Sequence, residues 1–470
     1  MNRIGQALLL AGGLALAAFM VYTLRFDLNH SGKGRDSTAD VARVAVVYPD
    51  RTLWREFRHG VLVCARKRLL KVIEEVEGSI LVETARHRRK VRFHLLDVRG
   101  LRETKEEVRT LLNAPGAPVA FVGSSNTVLT EAIAQALRGL AGSGGGGRGP
   151  VLLVPWASAV LAPSHEPGEG PVALLDINPG RIFRFCPNNQ RQADSLVGCL
   201  AASEKGEEPA RVVVVEDRLD PYSVDLGAAF HRAVERVAPG AEIVERADSL
   251  SLPLPQDAQA LPGPAEEALA ESIWRESERR PGGGTTWVFL PLQEAPALWI
   301  LNALRRHARR EPGSGSRSGQ GPLRVVCGDG ISFTNLSALA GHCPFPVWCS
   351  TSSSAPGAAQ ALGQGVSPDT QVAAEIVAAL VLCLDLPGGR APVADELRIR
   401  LSALKLSRDD PSAMGRSLAF GRSGERVGDD LGHVLMIRTD RPEVFAVERG
   451  PSGGWRAPEP LKAASLVVRP

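Results

Sequence analysis

Four short segments carry side chains suited to holding a small polar molecule. FVGSSNT places Ser124, Ser125, Asn126 and Thr127 where an apolar strand gives way to a helical pattern, and VPWASAV places Ala157 and Ser158 after the next strand. Hydroxyls and free backbone N–H groups at a helix start suit a carboxylate or another anion. Each Ser or Thr there also serves as an ordinary N-cap, and that reading stays open. VEDRLDPYSVD sets Asp217, Asp220, Tyr222 and Ser223 after a third strand, and CGDGIS sets Asp329 and Ser332 after a fourth. An acidic residue facing the hydroxyls across a cleft suits a ligand carrying both a carboxylate and an ammonium. The alternative is that Asp329 is a turn residue.

Other chemistries find no support. No GxSxG stands at a strand-to-helix elbow, and there is no HExxH, no Walker lysine and no clustering among the nine His, so the chain reads as a binding protein and not an enzyme. The run Gly142 to Gly149 lacks the Lys-Ser/Thr of a phosphate loop and precedes a strand, which makes it a linker. Gly328-Asp329-Gly330 has no third glycine at the dinucleotide-binding offset. The seven cysteines define no disulfide framework, although Cys343 and Cys349 could pair in an oxidising compartment. No CxxC or nearby His pair completes a zinc site, so no metal and no cofactor is implied. A net charge of +3 and basic runs such as Arg86 to Lys90, free of interleaved aromatics, argue against a nucleic-acid partner.

The elements that position these residues form an alternating series. VARVAVVYP is almost continuously apolar and β-branched, as a buried parallel strand requires, and helical spacing then covers Leu53 to Val76. Strands at Lys90 to Val98, Ala117 to Gly123 and Pro150 to Trp156 alternate with helices at Glu103 to Leu112 and Thr127 to Leu140. A second series begins near Arg181 and runs to LRVVCGDG. Such alternation predicts an α/β fold with two doubly wound, parallel-sheet lobes. With 44% hydrophobic residues in 470, the chain can fill two or three folding units.

At the N-terminus, Ile4 to Leu24 is an uncharged apolar run bracketed by Arg3 and Arg25, long enough to cross a bilayer as a helix. The run continues past Ala15-Leu16-Ala17 through Phe19-Met20-Val21-Tyr22, which favours an uncleaved transmembrane anchor. The alternative is a signal peptide cleaved there on secretion to the periplasm. Asn29 to Asp40 is a polar tether.

Taken in order, several segments resemble the type I periplasmic solute-binding proteins, in particular the branched-chain amino acid (leucine/isoleucine/valine) binding proteins. RVAVVYPDRTLWREFRHGVLVCA resembles that family's first strand, ligand-contacting loop and glycine-containing helix, and RFHLLDVRG its second strand. APVAFVGSSNT resembles the serine loop, RIFRFCPNNQRQADSL the crossover into the second lobe, and SLAFGRSGERVGDDLGHVLMIR the stretch near the family's end. VVVVEDRLDPYSVDLGAAF resembles the Asp-x-x-Tyr-Gly segment, with Ser223 in place of the glycine.

The resemblance implies two lobes joined by a three-strand hinge. Lobe 1 would be residues 41–178 and 350–433, and lobe 2 residues 179–349 and 434–470, following an anchor and tether in 1–40. It implies that Ser124 or Ser125, with Ala157 and Ser158, holds a carboxylate, that Asp329 takes the amine, and that Trp54 and Tyr222 line the side-chain pocket. The function implied is a membrane-tethered, extracytoplasmic protein that captures an amino acid or similar small polar solute for an ABC permease. The alternative is a ligand sensor or regulator of the same fold, with a degenerate site and a protein partner. The family's Gly-Gly-x-x-Gly is absent where EVEGSILVETARHRRK stands, and TQVAAEIVAALVL replaces its Tyr-Asp-Ala helix.

Overall fold

In a computed structural model of the chain, the residues described are 41–48, 51–98, 100–124, 127–141, 149–162, 171–203, 209–246, 264–278, 285–310, 323–331, 335, 339, 342–351, 366–387, 393–428, 433–437, 444–447 and 459–460. The apolar run Ile4 to Leu24, the tether and Ser125 lie outside them. Among the described residues, no helix is long and apolar enough to cross a membrane.

The first series gives β1 (Val41–Tyr48), α1 (Arg51–Arg66), β2 (Leu70–Val76), β3 (Ser79–Thr84), β4 (Lys90–Asp97), α2 (Leu101–Asn113), β5 (Ala120–Val122), α3 (Thr127–Ala141), β6 (Val151–Val154), a two-stranded pair β7 (Leu161–Ala162) and β8 (Val172–Ala173), and β9 (Ile182–Arg184). They assemble a seven-stranded sheet in the order β2-β3-β4-β1-β5-β6-β9, parallel from β4 to β9. The near-continuous apolar character of β1 is explained by burial on both faces. Val44, Val46 and Tyr48 pack towards α1, while Ala45 and Val47 pack against the opposite cluster that contains Ile133 and Leu137 of α3.

The helical spacing over Leu53 to Val76 holds only as far as Arg66. There the chain turns through Arg68 at φ 59°, and Leu70–Val76 pairs antiparallel with β3, the hairpin turning at Gly78 (φ +72°). Leu69, Val72, Ile73 and Val76 can be read at helical spacing, but pairing across the hairpin and onward to β4 decides the outcome.

The second series gives α4 (Asn189–Ser203), β10 (Arg211–Val215), α5 (Pro221–Val237), β11 (Glu242–Arg246), α6 (Pro264–Glu278), β12 (Thr286–Leu290), α7 (Glu294–Arg310), β13 (Leu323–Cys327) and β14 (Val347–Thr351). The chain then supplies α8 (Pro368–Leu384), α9 (Ala394–Ala403) and a small sheet of β15 (Lys405–Leu406), β16 (Leu418–Phe420) and β17 (Arg426–Val427). It ends with β18 (His433–Ile437), β19 (Val444–Val447) and β20 (Glu459–Pro460). The second sheet has the order β11-β10-β12-β13-β14-β18-β19-β20, parallel through β14 and antiparallel beyond it. Here too both faces are covered. Val213, Val288 and Val325 belong to one core cluster, and Val212, Trp287 and Val326 to another. All seven cysteines are buried free thiols, Cys343 and Cys349 included.

The chain passes between the sheets three times: from β9 to α4, from β14 back to α8, and from β17 to β18. α8 returns to pack along α1, and Gly60 makes that approach close. A Cβ on Gly60 would lie 2.7 Å from the Ala374 nitrogen and 2.8 Å from the Ala373 carbonyl carbon. Glycine in a helix interior is otherwise unfavourable, so the packing must outweigh its cost. Gly60→Val is expected to lower stability by about 1–3 kcal/mol through overpacking. Urea unfolding checks this, and an unchanged midpoint would contradict the close packing of α1 on α8.

Candidate functional site

The C-terminal ends of the parallel strands of both sheets converge, which is where open α/β sheets place ligands. From the second sheet come Tyr222, at the start of α5, and Asp329, two residues beyond β13. Asp220 caps α5 by accepting the Tyr222 N–H at 3.1 Å, with Pro221 in the first turn. Asp217 and Ser223 are used locally: the Asp217 N–H donates to Ser223 Oγ at 2.7 Å, and the Asp217 carboxylate accepts the Leu219 N–H at 2.9 Å.

Tyr222 Oη accepts the Gly330 N–H at 3.0 Å, which fixes the turn carrying Asp329. A Cβ on residue 328 would sit 2.2 Å from Tyr222 Oη and 2.5 Å from Leu226 Cδ2, so any side chain there would displace Tyr222 or Leu226. The Asp329 N–H donates to Gln192 Oε1 on α4 at 3.3 Å, and that oxygen also accepts from the Ser350 hydroxyl at 2.7 Å. Burial pushes the Asp329 carboxyl up to about 6, against the hydrogen-bonding influence of Gln192, Tyr222 and Ser158.

From the first sheet come Ser124, beyond β5, and Ser158, beyond β6. Ser158 faces the Asp329 carboxyl without making a hydrogen bond of ordinary geometry. Ser124 is fully buried, and its hydroxyl has no hydrogen-bond partner among the described residues. The Ser124 hydroxyl is therefore available to an incoming acceptor or donor, while that of Ser158 lies against the Asp329 carboxyl. The segment carrying Ser158 is tied to the second sheet's helices. Ser158 O accepts the Asn189 N–H at 2.9 Å, and Asp225 accepts from the Val160 N–H at 2.8 Å and from Asn189 Nδ2 at 2.9 Å.

Ser158, Tyr222 and Asp329 are thus brought together. Trp54 is placed elsewhere in character: it is buried in the core of the first sheet, stacked on Phe57 with ring centroids 5.8 Å apart. Ala157 packs into the cluster behind β5 and β6.

Beside this group lies a second one. Asp369, in the first turn of α8, is within electrostatic reach of Glu56, Glu294 and Asp329. Glu56 accepts hydrogen bonds from Ser367 Oγ at 2.5 Å and from the Thr370 hydroxyl, and Ser367 also caps α8. Tyr48, at the end of β1, is fully buried beside Asp369, and its Oη has no hydrogen-bond partner among the described residues. Its ring meets Trp156 at 5.6 Å between centroids.

Burial, reinforced by the negative charge of Glu56, Glu294 and Asp329, pushes the Asp369 carboxyl up to about 7. Between its ordinary value of 3.8 and about 7 the folded chain holds a proton that the unfolded chain releases. The stability this supplies is full below the lower value and lost as pH rises through the upper one. Asp369→Asn is therefore expected to raise the melting temperature by several degrees at pH 8 and to change it little at pH 4. Thermal unfolding at the two pH values checks this, and a fall at pH 8 would contradict the electrostatics of the group.

Among solved structures, the chain is similar to an ABC transporter substrate-binding protein from Desulfitobacterium hafniense in complex with Leu, with 16% identity over 85% of this chain and 98% of that one and a TM-score of 0.55. It is similar to a leucine-binding protein from Thermotoga maritima at 15% identity, covering 89% and 98%, with a TM-score of 0.56. A solute-binding protein of an ABC transporter from Rhodopseudomonas palustris in complex with p-hydroxybenzoic acid matches at 14%, covering 90% and 96%, with a TM-score of 0.58. The fold is that of the type I periplasmic binding proteins. No protein-family model and no curated protein matches the sequence. At these identities the likeness is one of architecture.

Within the periplasmic binding protein fold, the group around Asp369 is what reading the sequence missed, together with Gln192 and Asp225. One signal for it exists. Ser367-Pro368-Asp369-Thr370 puts four polar or turn-forming residues ahead of the apolar run VAAEIVAALVL, at a helix start. The partner Glu56 is far away in the chain and leaves no local trace.

Proposed function

We propose that this chain is a membrane-tethered, extracytoplasmic solute-binding protein that captures an amino acid or similar small polar solute between two lobes for an ABC-type permease. The observation that carries the reading is Ser158, on the first sheet's side, facing Asp329 of the second, which Tyr222 also contacts. The hydroxyls of Ser124 and Ser158 and the backbone at Ala157 suit a carboxylate, as does Ser125, which lies outside the described residues. Asp329 suits an amine, and Tyr222 borders the solute. The solutes named for two similar structures, leucine and p-hydroxybenzoic acid, both carry a carboxyl group.

The lobes are 41–178 with 350–433, and 179–349 with 434–470. β9, just past the first boundary, still pairs with β6. Closure is a hinge motion about the three crossings, stabilised by contacts that both lobes make to one solute. The apolar run Ile4 to Leu24 holds the protein at the membrane, with the lobes in the periplasm. Membrane fractionation checks this, and recovery of a shortened soluble form would overturn the tether.

Calorimetric titration of the purified chain with L-leucine, L-arginine, L-glutamate and p-hydroxybenzoate tests the binding reading. At least one solute is expected to bind one-to-one, with an affinity that falls in Ser158→Ala. No heat with any of the four, together with copurification of a protein partner, would overturn it in favour of the regulator.

A further inference from the structure

The two sheets present carboxyl groups to the same place. Glu56 on α1 and Asp369 on α8 come from the first sheet's side, and Asp329 and Glu294 from the second's. The contacts seen for two of these are neutral. Glu56 accepts from Ser367 and Thr370, and Asp329 lies against Gln192, Tyr222 and Ser158. The strongest charges acting on Asp369 are Glu56, Glu294 and Asp329, all of its own sign. Like charges brought together out of water repel strongly, and a cation between them removes the repulsion.

Two aromatic side chains and one hydroxyl complete the surroundings. Tyr48 is fully buried, lies beside Asp369 and holds an Oη with no partner among the described residues. The Trp156 indole also faces Asp369, and its N–H makes no hydrogen bond of ordinary geometry. A carboxylate bordered by a Tyr hydroxyl and two aromatic rings suits an ammonium or guanidinium group, which gains both charge pairing and cation–π contact. Among the described residues, no group of three His, Cys, Asp or Glu side chains has an arrangement able to hold a metal ion. The arrangement therefore suits an extended organic cation better than a metal ion.

We propose that the solute carries two positive groups, one held by Asp329 beside Tyr222 and Ser158, and a second, an ammonium or guanidinium, held by Asp369 between Glu56 and Tyr48. This rests on the solute-binding reading above and names its substrate class: an amino acid with a basic side chain. Such a solute bridges the acidic faces of both lobes and is the species that lets them close.

The test is calorimetric titration of the purified full chain with L-arginine, L-lysine and L-leucine at low ionic strength, repeated with Asp369→Asn. Thermal unfolding of the variant confirms that it folds. Arginine or lysine is expected to bind at least tenfold more tightly than leucine, and Asp369→Asn to lower that affinity at least tenfold and collapse the preference. Leucine binding as tightly as either basic amino acid would overturn this proposal and leave the solute-binding reading standing. An arginine preference untouched in a folded Asp369→Asn variant would overturn it as well. If none of the three binds, nor glutamate nor p-hydroxybenzoate, both readings fall together.

Discussion

Glu375→Ala is expected to destabilise the chain by about 3–5 kcal/mol, a large fraction of the roughly 5–15 kcal/mol that holds an ordinary protein folded. Glu375 lies on α8 and is almost fully buried with Arg416 and Arg426. Arg416 donates from Nε and Nη2 to its two carboxylate oxygens at 2.7 and 2.6 Å, and Arg426 Nη1 donates to Oε2 at 2.6 Å. Burial alone would raise the Glu375 carboxyl, but the two guanidinium groups outweigh it and hold the carboxyl below its ordinary range. Removing the acid leaves two buried cations without their partner, which costs far more than the net worth of the intact group.

The consequence reaches beyond α8. Arg426 also donates to Phe185 O, next to β9, so the network ties the returning segment to the place where the chain first leaves the first sheet. Urea unfolding of the variant checks this, and a loss under about 1 kcal/mol would show that the network is dispensable. The two carboxyls of α8 have opposite pH signatures. The stability from Glu375 is present above its unfolded value and lost on acidification, whereas that from Asp369 is lost as pH rises.

The second large effect concerns binding. Asp329→Ala is expected to weaken solute binding by roughly 2–5 kcal/mol, about thirty-fold or more, because the ammonium of the bound solute would lose its buried counter-charge. The same change should not destabilise the unliganded chain at pH 8. Burial holds the Asp329 carboxyl up at about 6, so its ionised form is a cost to the free fold. Lost affinity with an unchanged or raised melting temperature is the expected pair of results. Lost affinity with a lowered melting temperature would make Asp329 a structural residue of the turn after β13.

Much of the architecture was legible because local pattern and tertiary outcome agree. The continuous apolar run of β1 announced a strand covered on both faces, and the alternation of strands with amphipathic helices announced two parallel sheets. The β2–β3 hairpin was not, because its apolar positions fit a helix continuing from α1 and only the pairing with β4 excludes it. Within the site, Ser158, Tyr222 and Asp329 were legible because each follows a strand end, where this class of sheet puts its ligands. Trp54 looked like a pocket residue but stacks into the core on Phe57. Glu56, Asp369 and the Glu375–Arg416–Arg426 group could not be read, since their meaning lies in charges brought together from distant segments.

The central claim is that one solute is held by both lobes at once. Small-angle scattering of the chain with and without a calorimetrically confirmed solute tests it most directly. The radius of gyration is expected to fall on addition of saturating solute and to stay constant in Asp329→Ala at the same concentration. A solute that binds the unmodified chain while leaving its radius of gyration unchanged would contradict closure of the lobes around it.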